Sequence, residues 1–188
     1  MWPWEHLALG YLLYSTYSRL IRGEPPATSD TLVLVFATQL PDLIDKPLSW
    51  GLGVLPSGLS LGHSLLFATP ACLLVLAVTI RLGRGALGSA FTVGYLSHLT
   101  GDLLYPIALG GWPDPRFLLW PVTSSAARAT EPFFDRVVSL WETFAVFTAT
   151  PRGRLYLLVE GVFIVVMLVL WVSDGRPGLG FPGRGSDV

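Results

Sequence analysis

Long apolar stretches separated by short turns of glycine, proline and arginine organise this chain, a pattern of helices suited to lipid or to a wholly buried core. From about Trp4 to Ile21 the residues form a helix with a largely apolar surface, closed by Arg19, Arg22, Gly23 and the Pro25, Pro26 pair. The next apolar run, Leu32 to Leu40, is short against the roughly 20 residues of a full span, so it predicts a short or partly inserted helix. Pro47 and "WGLGVLPSGLSLG" then read as a loop. Residues 63–80 form a strong spanning candidate ended by Arg81, Gly83 and Arg84. Residues 86–107 follow after so brief a turn that the two helices must run antiparallel. In 110–154 charges and aromatics mix, and "TEPFFDRVVSLWETFAVF" has the character of an interfacial helix. Residues 155–173 are the last span. The pattern predicts an all-α, polytopic membrane bundle of about four to five membrane-embedded helices plus an interfacial helix. One domain, 1–173, is followed by a flexible Gly-rich tail, 174–188.

Composition agrees with this picture, because 52% hydrophobic against 13% charged residues exceeds the apolar share of an average soluble domain. The net charge of −1 supplies no basic field, which removes nucleic acid from the partners and leaves the lipid bilayer. Cys72 is the only cysteine, so there is no internal disulfide and no thiolate metal site; within its apolar run it reads as a packing residue. The N-terminus lacks the basic leader and small-residue cleavage site of a secretory signal, so the first helix is expected to stay on the protein. Arginine clusters at Arg19/Arg22, Arg81/Arg84 and Arg176 vote for one membrane face, and Arg152/Arg154 vote for the other.

Whichever face is cytoplasmic, the alternation of helices brings the polar exceptions together. His6 lies near the start of the first helix, Asp42 and Asp45 at the end of the second, His63 at the start of the next, and His98 with Asp102 in the final turns of its partner. That set contains every histidine in the chain. Ionisable groups within a membrane are costly; they face a protein interior or a watered cavity, where they pair, relay protons or bind ions. Residues four apart share a helix face, so His98 and Asp102 can approach one ion together, and Asp42 and Asp45 can do the same if "PDLID" is helical or tightly turned. Imidazole and carboxylate without thiolate suit a divalent ion such as zinc or manganese, one or two per chain. Taken singly, His6 and His63 read as interfacial or capping groups, Asp42 as a turn residue after proline, and Asp45 as the partner of Lys46. Glu5 is a capping residue or a base beside the site, and Glu160 a side chain snorkelling from the last span.

In order along the chain, "WEHLALGYLL", "LPDLIDKP", "GHSLL", "GYLSHLTGDLLYP" and "LLWPV" resemble the motifs of the YdjM-type family of inner-membrane metal-dependent hydrolases. The resemblance covers roughly residues 4–125 and its weight lies in the order of short motifs. It implies a multi-pass protein of the inner (cytoplasmic) membrane, with His6, Asp42, Asp45, His63, His98 and Asp102 at a metal site. The chain departs from the commonest pattern in placing two residues between the carboxylates of "PDLID" and a glycine before His63. A metal-activated water is the chemistry such a site implies, with Asp45 as first choice for the catalytic base and Glu5 as second. A site at one membrane surface suits an amphiphilic substrate, such as a lipid phosphoester whose charge Arg116, Arg128 and Lys46 would neutralise. The alternative reading is a small ion or proton transporter subunit built on the same His/Asp cluster.

Overall fold

The computed structural model describes residues 1–124 and 133–179, and among them every regular element is helical. Helix α1 spans Pro3–Tyr17, with Pro3 where a missing N–H costs nothing and the Glu5 carboxylate accepting the Trp2 N–H at 2.5 Å. A wide π-type turn, Ser18–Arg22, continues it, and Gly23 ends it at φ 75°, a left-handed conformation that glycine adopts without strain. Helix α2, Thr28–Lys46, is a full 19 residues, longer than the short helix read from Leu32 to Leu40. Pro41 lies inside it. A proline forfeits one backbone donor, but tertiary packing carries the helix through "PDLID", and a second π-type turn, Pro47–Gly51, follows.

Ser64 caps α3 (Leu65–Arg81) by accepting the Leu66 N–H at 3.2 Å, and Gly83 turns the chain into α4 (Gly85–Leu109). A 3₁₀ turn at Pro115–Leu119, α5 (Phe133–Ala149) and α6 (Pro151–Ser173) complete the described elements. The segment read as an interfacial helix, residues 130–147, contributes to α5, which is described from Phe133 and has no buried residue. Residues 125–132, including Arg128, fall outside the described residues.

Helix α4 is the axis of the bundle and packs against α1, α2, α3 and α6. Its contact with α2 is close because Gly94 faces Ala37: a Cβ at Gly94 would stand 3.0 Å from the Ala37 Cβ and 3.0 Å from the Leu34 carbonyl oxygen. Small residues at a crossing let helix backbones approach where apolar burial against lipid supplies little drive. Ala37, Cys72, Phe91, Tyr95 and Leu99 share one core cluster, so Cys72 is the packing residue its sequence context suggests.

Polar ties fasten the end of the bundle away from the histidines. Tyr14 and Arg22 both bond Asp30, while Tyr11, Ser15 and Arg19 all bond the buried Asp174. Trp171 donates to the Pro177 carbonyl at 3.0 Å and the Gly178 N–H to Thr28 Oγ1 at 3.3 Å, so residues 174–179 lie against α1 and α2; 180–188 fall outside the described residues. Among the described residues one helix is long and apolar enough to cross a membrane, Pro151–Ser173; Leu65–Arg81 is apolar but shorter.

Candidate metal centre

Two helices and one loop deliver side chains to a single buried point. Asp42 comes from the last turns of α2, His63 from the loop just before α3, and His98 and Asp102 from one face of α4. One ligand atom from each of these four lies within 4.8 Å of all the others. His63 Nε2 is 3.0 Å from His98 Nε2, 3.1 Å from Asp102 Oδ2 and 3.6 Å from Asp42 Oδ1. His98 Nε2 is 3.4 Å from Asp102 Oδ2 and 3.8 Å from Asp42 Oδ1. Both histidines are fully buried.

Bonds made elsewhere set the tautomers. His98 Nδ1 sits 2.6 Å from the Thr38 carbonyl, which only accepts, so Nδ1 carries the proton and Nε2 presents a lone pair. His63 Nδ1 donates to Asp45 Oδ2 at 2.8 Å, with the same consequence. The outer oxygens of the two carboxylates are also occupied: Lys46 Nζ is 2.5 Å from Asp42 Oδ2, and the Met1 amino group is 2.5 Å from Asp102 Oδ1. With both rings neutral, what remains facing inward is two imidazole lone pairs and two carboxylate oxygens, four acceptors with no donor among them. A lone proton could join one pair of these; a cation satisfies all four. A tetrahedral ion with ligand bonds of roughly 2.0–2.2 Å separates its donors by roughly 3.3–3.6 Å. The five distances that include a histidine, 3.0–3.8 Å, bracket that spacing, and all four ligand atoms lie within 4.8 Å of one another, so the residues fit a small divalent ion.

Of the six residues the sequence points to, the structure brings four to one point and sets two behind them. Asp45 is fully buried and spends its oxygens on the N–H groups of Ser60 (2.7 Å), Gly62 (2.8 Å) and His63 (3.2 Å) and on the His63 ring. It does not pair with Lys46; Asp42, one helical turn from that lysine, does. With Oδ2 accepting three bonds and Oδ1 one, Asp45 braces the His63 ring, a carboxylate–histidine arrangement of the kind that orients metal ligands. His6 stacks on His98 with ring centroids 3.6 Å apart, and its Nε2 stands 3.3 Å from Asp102 Oδ1. Among the described residues neither His6 nitrogen has a hydrogen-bond partner, although the side chain is fully buried. Glu5, the second choice for a base, bonds Trp2 and the Tyr156 hydroxyl and lies outside the four-residue group.

The "GHS" and "LLWPV" segments meet over the cluster. Ser64 Oγ donates to the Trp120 carbonyl at 2.6 Å, and Phe117 stands edge-on to His63 at 6.2 Å. Tyr95 holds the loop from below, donating to the Gly62 carbonyl at 2.6 Å. Arg116 forks onto Asp114 at 2.7 and 2.8 Å, holding that exposed carboxyl below its usual range, so its charge is engaged there. Lys46 is the basic side chain that touches the cluster. The sequence did not disclose the Thr38 carbonyl or the Ser60 and Gly62 N–H groups, since a backbone contact leaves no mark in residue type.

The sequence pattern of the family described as YdjM inner membrane protein matches residues 1–176, and the chain belongs to that family. No curated protein and no solved structure matches it.

Proposed function

We propose that this protein is a multi-pass membrane hydrolase that holds one divalent ion, zinc or manganese, and cleaves a lipid phosphoester at the membrane surface. The observation that carries the reading is the set of four inward acceptors, with both imidazole tautomers fixed by bonds on their far side. When bound, such an ion supplies Lewis acidity, lowering the pKa of a water and polarising the ester oxygen. His63, His98 and Asp102, mutually 3.0–3.4 Å apart, are the holding set. Asp42 lies further from the two ring nitrogens, at 3.6 and 3.8 Å. It marks the open position that separates a catalytic site from a closed structural one. Its Oδ1 accepts the proton of the attacking water, in place of Asp45. Lys46, bonded to Asp42 and 5.5 Å from the Trp50 ring centre, neutralises a phosphate oxygen at the entrance.

A membrane setting for the whole bundle is supported by its surface, for large apolar side chains stand outward on α2, α3 and α4 as well as on α6: Phe36 (54% exposed), Leu73 (61%), Leu104 (50%) and Val162 (65%). Tryptophans gather at the cluster end. Trp2 and Trp4 stack at 5.1 Å, Trp141 stands 6.1 Å from Trp2, and Trp50 and Trp120 lie beside Lys46 and Ser64. An aromatic belt of this kind anchors a membrane–water interface, where a phospholipid head group resides.

The transporter reading has less support. Between the histidine end and the Asp30/Asp174 end, the stretches 7–17, 31–41, 65–80, 86–97 and 161–173 contain no acidic or basic side chain to relay an ion. The direct test is release of phosphate or phosphorylated head group from phospholipid vesicles by the reconstituted protein. Zinc- or manganese-dependent release abolished by chelator supports the hydrolase; metal-dependent ion flux without release would replace it with the transporter.

A further inference from the structure

We propose that a groove between α1, α4 and α6 seats one acyl chain of a membrane phospholipid whose head group lies at the His/Asp centre. The groove has a volume of about 260 Å³, with Leu9 of α1, Leu104 and Ala108 of α4, and Val159 and Phe163 of α6 on its walls. Its walls are almost wholly apolar where ligand sites ordinarily carry a few directing polar groups, so the groove suits a stretch of hydrocarbon chain rather than a head group.

One end lies beside the metal centre, separated from it by Met1, whose amino group bonds Asp102. Met1, Glu5 and Gly101 line that end, and Gly101 precedes Asp102. A Cβ at Gly101 would run into Met1 Sδ and lie 3.4 Å from His6 Nδ1, so the absent side chain lets Met1 and His6, which both face Asp102 Oδ1, pack against this end of the groove. On the other side the wall is α6, the helix apolar enough to span a bilayer, and Val159 and Leu104 are half or more exposed. The groove therefore opens sideways, toward where lipid tails would be.

Two carboxylates at the groove argue for no second ion there, since the protein's own donors already meet them: the Tyr156 hydroxyl bonds Glu5, and Trp4 Nε1 bonds Glu160 at 2.5 Å. Lipid tails are as apolar as leucine, so a chain enters through packing and through its tether to a head group, not by escape from water. The placement of that head group rests on the hydrolase reading; the seat for the chain does not.

The test uses the protein in vesicles of phosphatidylethanolamine and phosphatidylglycerol doped with a phosphatidylglycerol that carries a photoactivatable diazirine in one acyl chain. Adducts are mapped by mass spectrometry and metal content is measured on the same samples. Labelling of 101–108 and 159–163 should exceed that of the exposed α3 pair Leu73 and Leu74 by about fivefold, equivalent to about 1 kcal/mol of preference. Ala108→Trp and Val159→Trp, which fill the groove from opposite walls, should each bring labelling down to the α3 level with the ion retained, and Leu73→Trp should leave it unchanged. Labelling equal on the groove and α3, or indifferent to both filling variants, overturns the proposal. Such a failure in protein that keeps its ion leaves the hydrolase reading standing. Groove labelling that persists in a His98→Ala protein without its ion supports the seat independently of catalysis.

Discussion

His63 Nε2 and His98 Nε2 face each other across 3.0 Å, although each ring has already committed its proton to a partner on its far side. With both rings neutral, two lone pairs at that distance repel, and Asp102 Oδ2 at 3.1 and 3.4 Å adds further negative charge. Helix packing alone gives no reason to build such a point in an apolar bundle. A cation at its centre reverses the sign of every one of these contacts.

Asp45 should act on affinity rather than on the existence of the site. Asp45→Asn keeps the shape but weakens the hold on the His63 ring, and loss of such a supporting hydrogen bond typically lowers metal affinity by roughly 10–100-fold. Competition with a chromophoric chelator should report that drop. Unchanged affinity would remove Asp45 from the account.

Asp42→Asn should separate holding from chemistry. The amide keeps an oxygen near the cluster but accepts a proton poorly, so the ion should remain at one per chain while hydrolysis falls by roughly 10²–10⁴-fold. Loss of the ion in this variant would make Asp42 an obligatory ligand instead.

The histidines and the His98/Asp102 pair were legible because four-residue spacing on one helix fixes a common face whatever the helix packs against. Convergence of His6, Asp42 and His63 on that pair followed from alternating helix direction. The roles of Asp42 and Asp45 were not legible, since they turn on whether the chain stays helical through Pro41. It does, so Lys46 bonds Asp42, four residues back, and Asp45 points away to the loop before α3. Tautomer control by the Thr38 carbonyl depends on the approach of α2 to α4, which no local pattern encodes. The apolar run Leu32 to Leu40 marks only the middle of α2, because the helix continues at both ends through the polar 28–31 and 41–46, and its passage through Pro41 is a tertiary effect.

Gly62 should be sensitive for a reason unrelated to ligand chemistry. An added Cβ would lie 2.8 Å from the Pro41 carbonyl oxygen and 3.0 Å from Pro41 Cα, backbone atoms that can yield only by parting α2 from the loop. Gly62→Ala should destabilise the fold by about 1–3 kcal/mol, the usual range for overpacking. It should also weaken metal binding, because the Gly62 N–H that holds Asp45 moves with the loop. Thermal unfolding in detergent with and without added zinc checks both effects.

Elemental mass spectrometry of detergent-purified protein, comparing wild type with His98→Ala and Asp102→Ala in chelator-free buffer, tests the centre most directly. One divalent ion per chain in wild type, absent from both variants while their helical circular dichroism persists, is the predicted result. No bound ion after zinc, manganese, iron and magnesium are supplied in turn, or an ion that survives both substitutions, would contradict it.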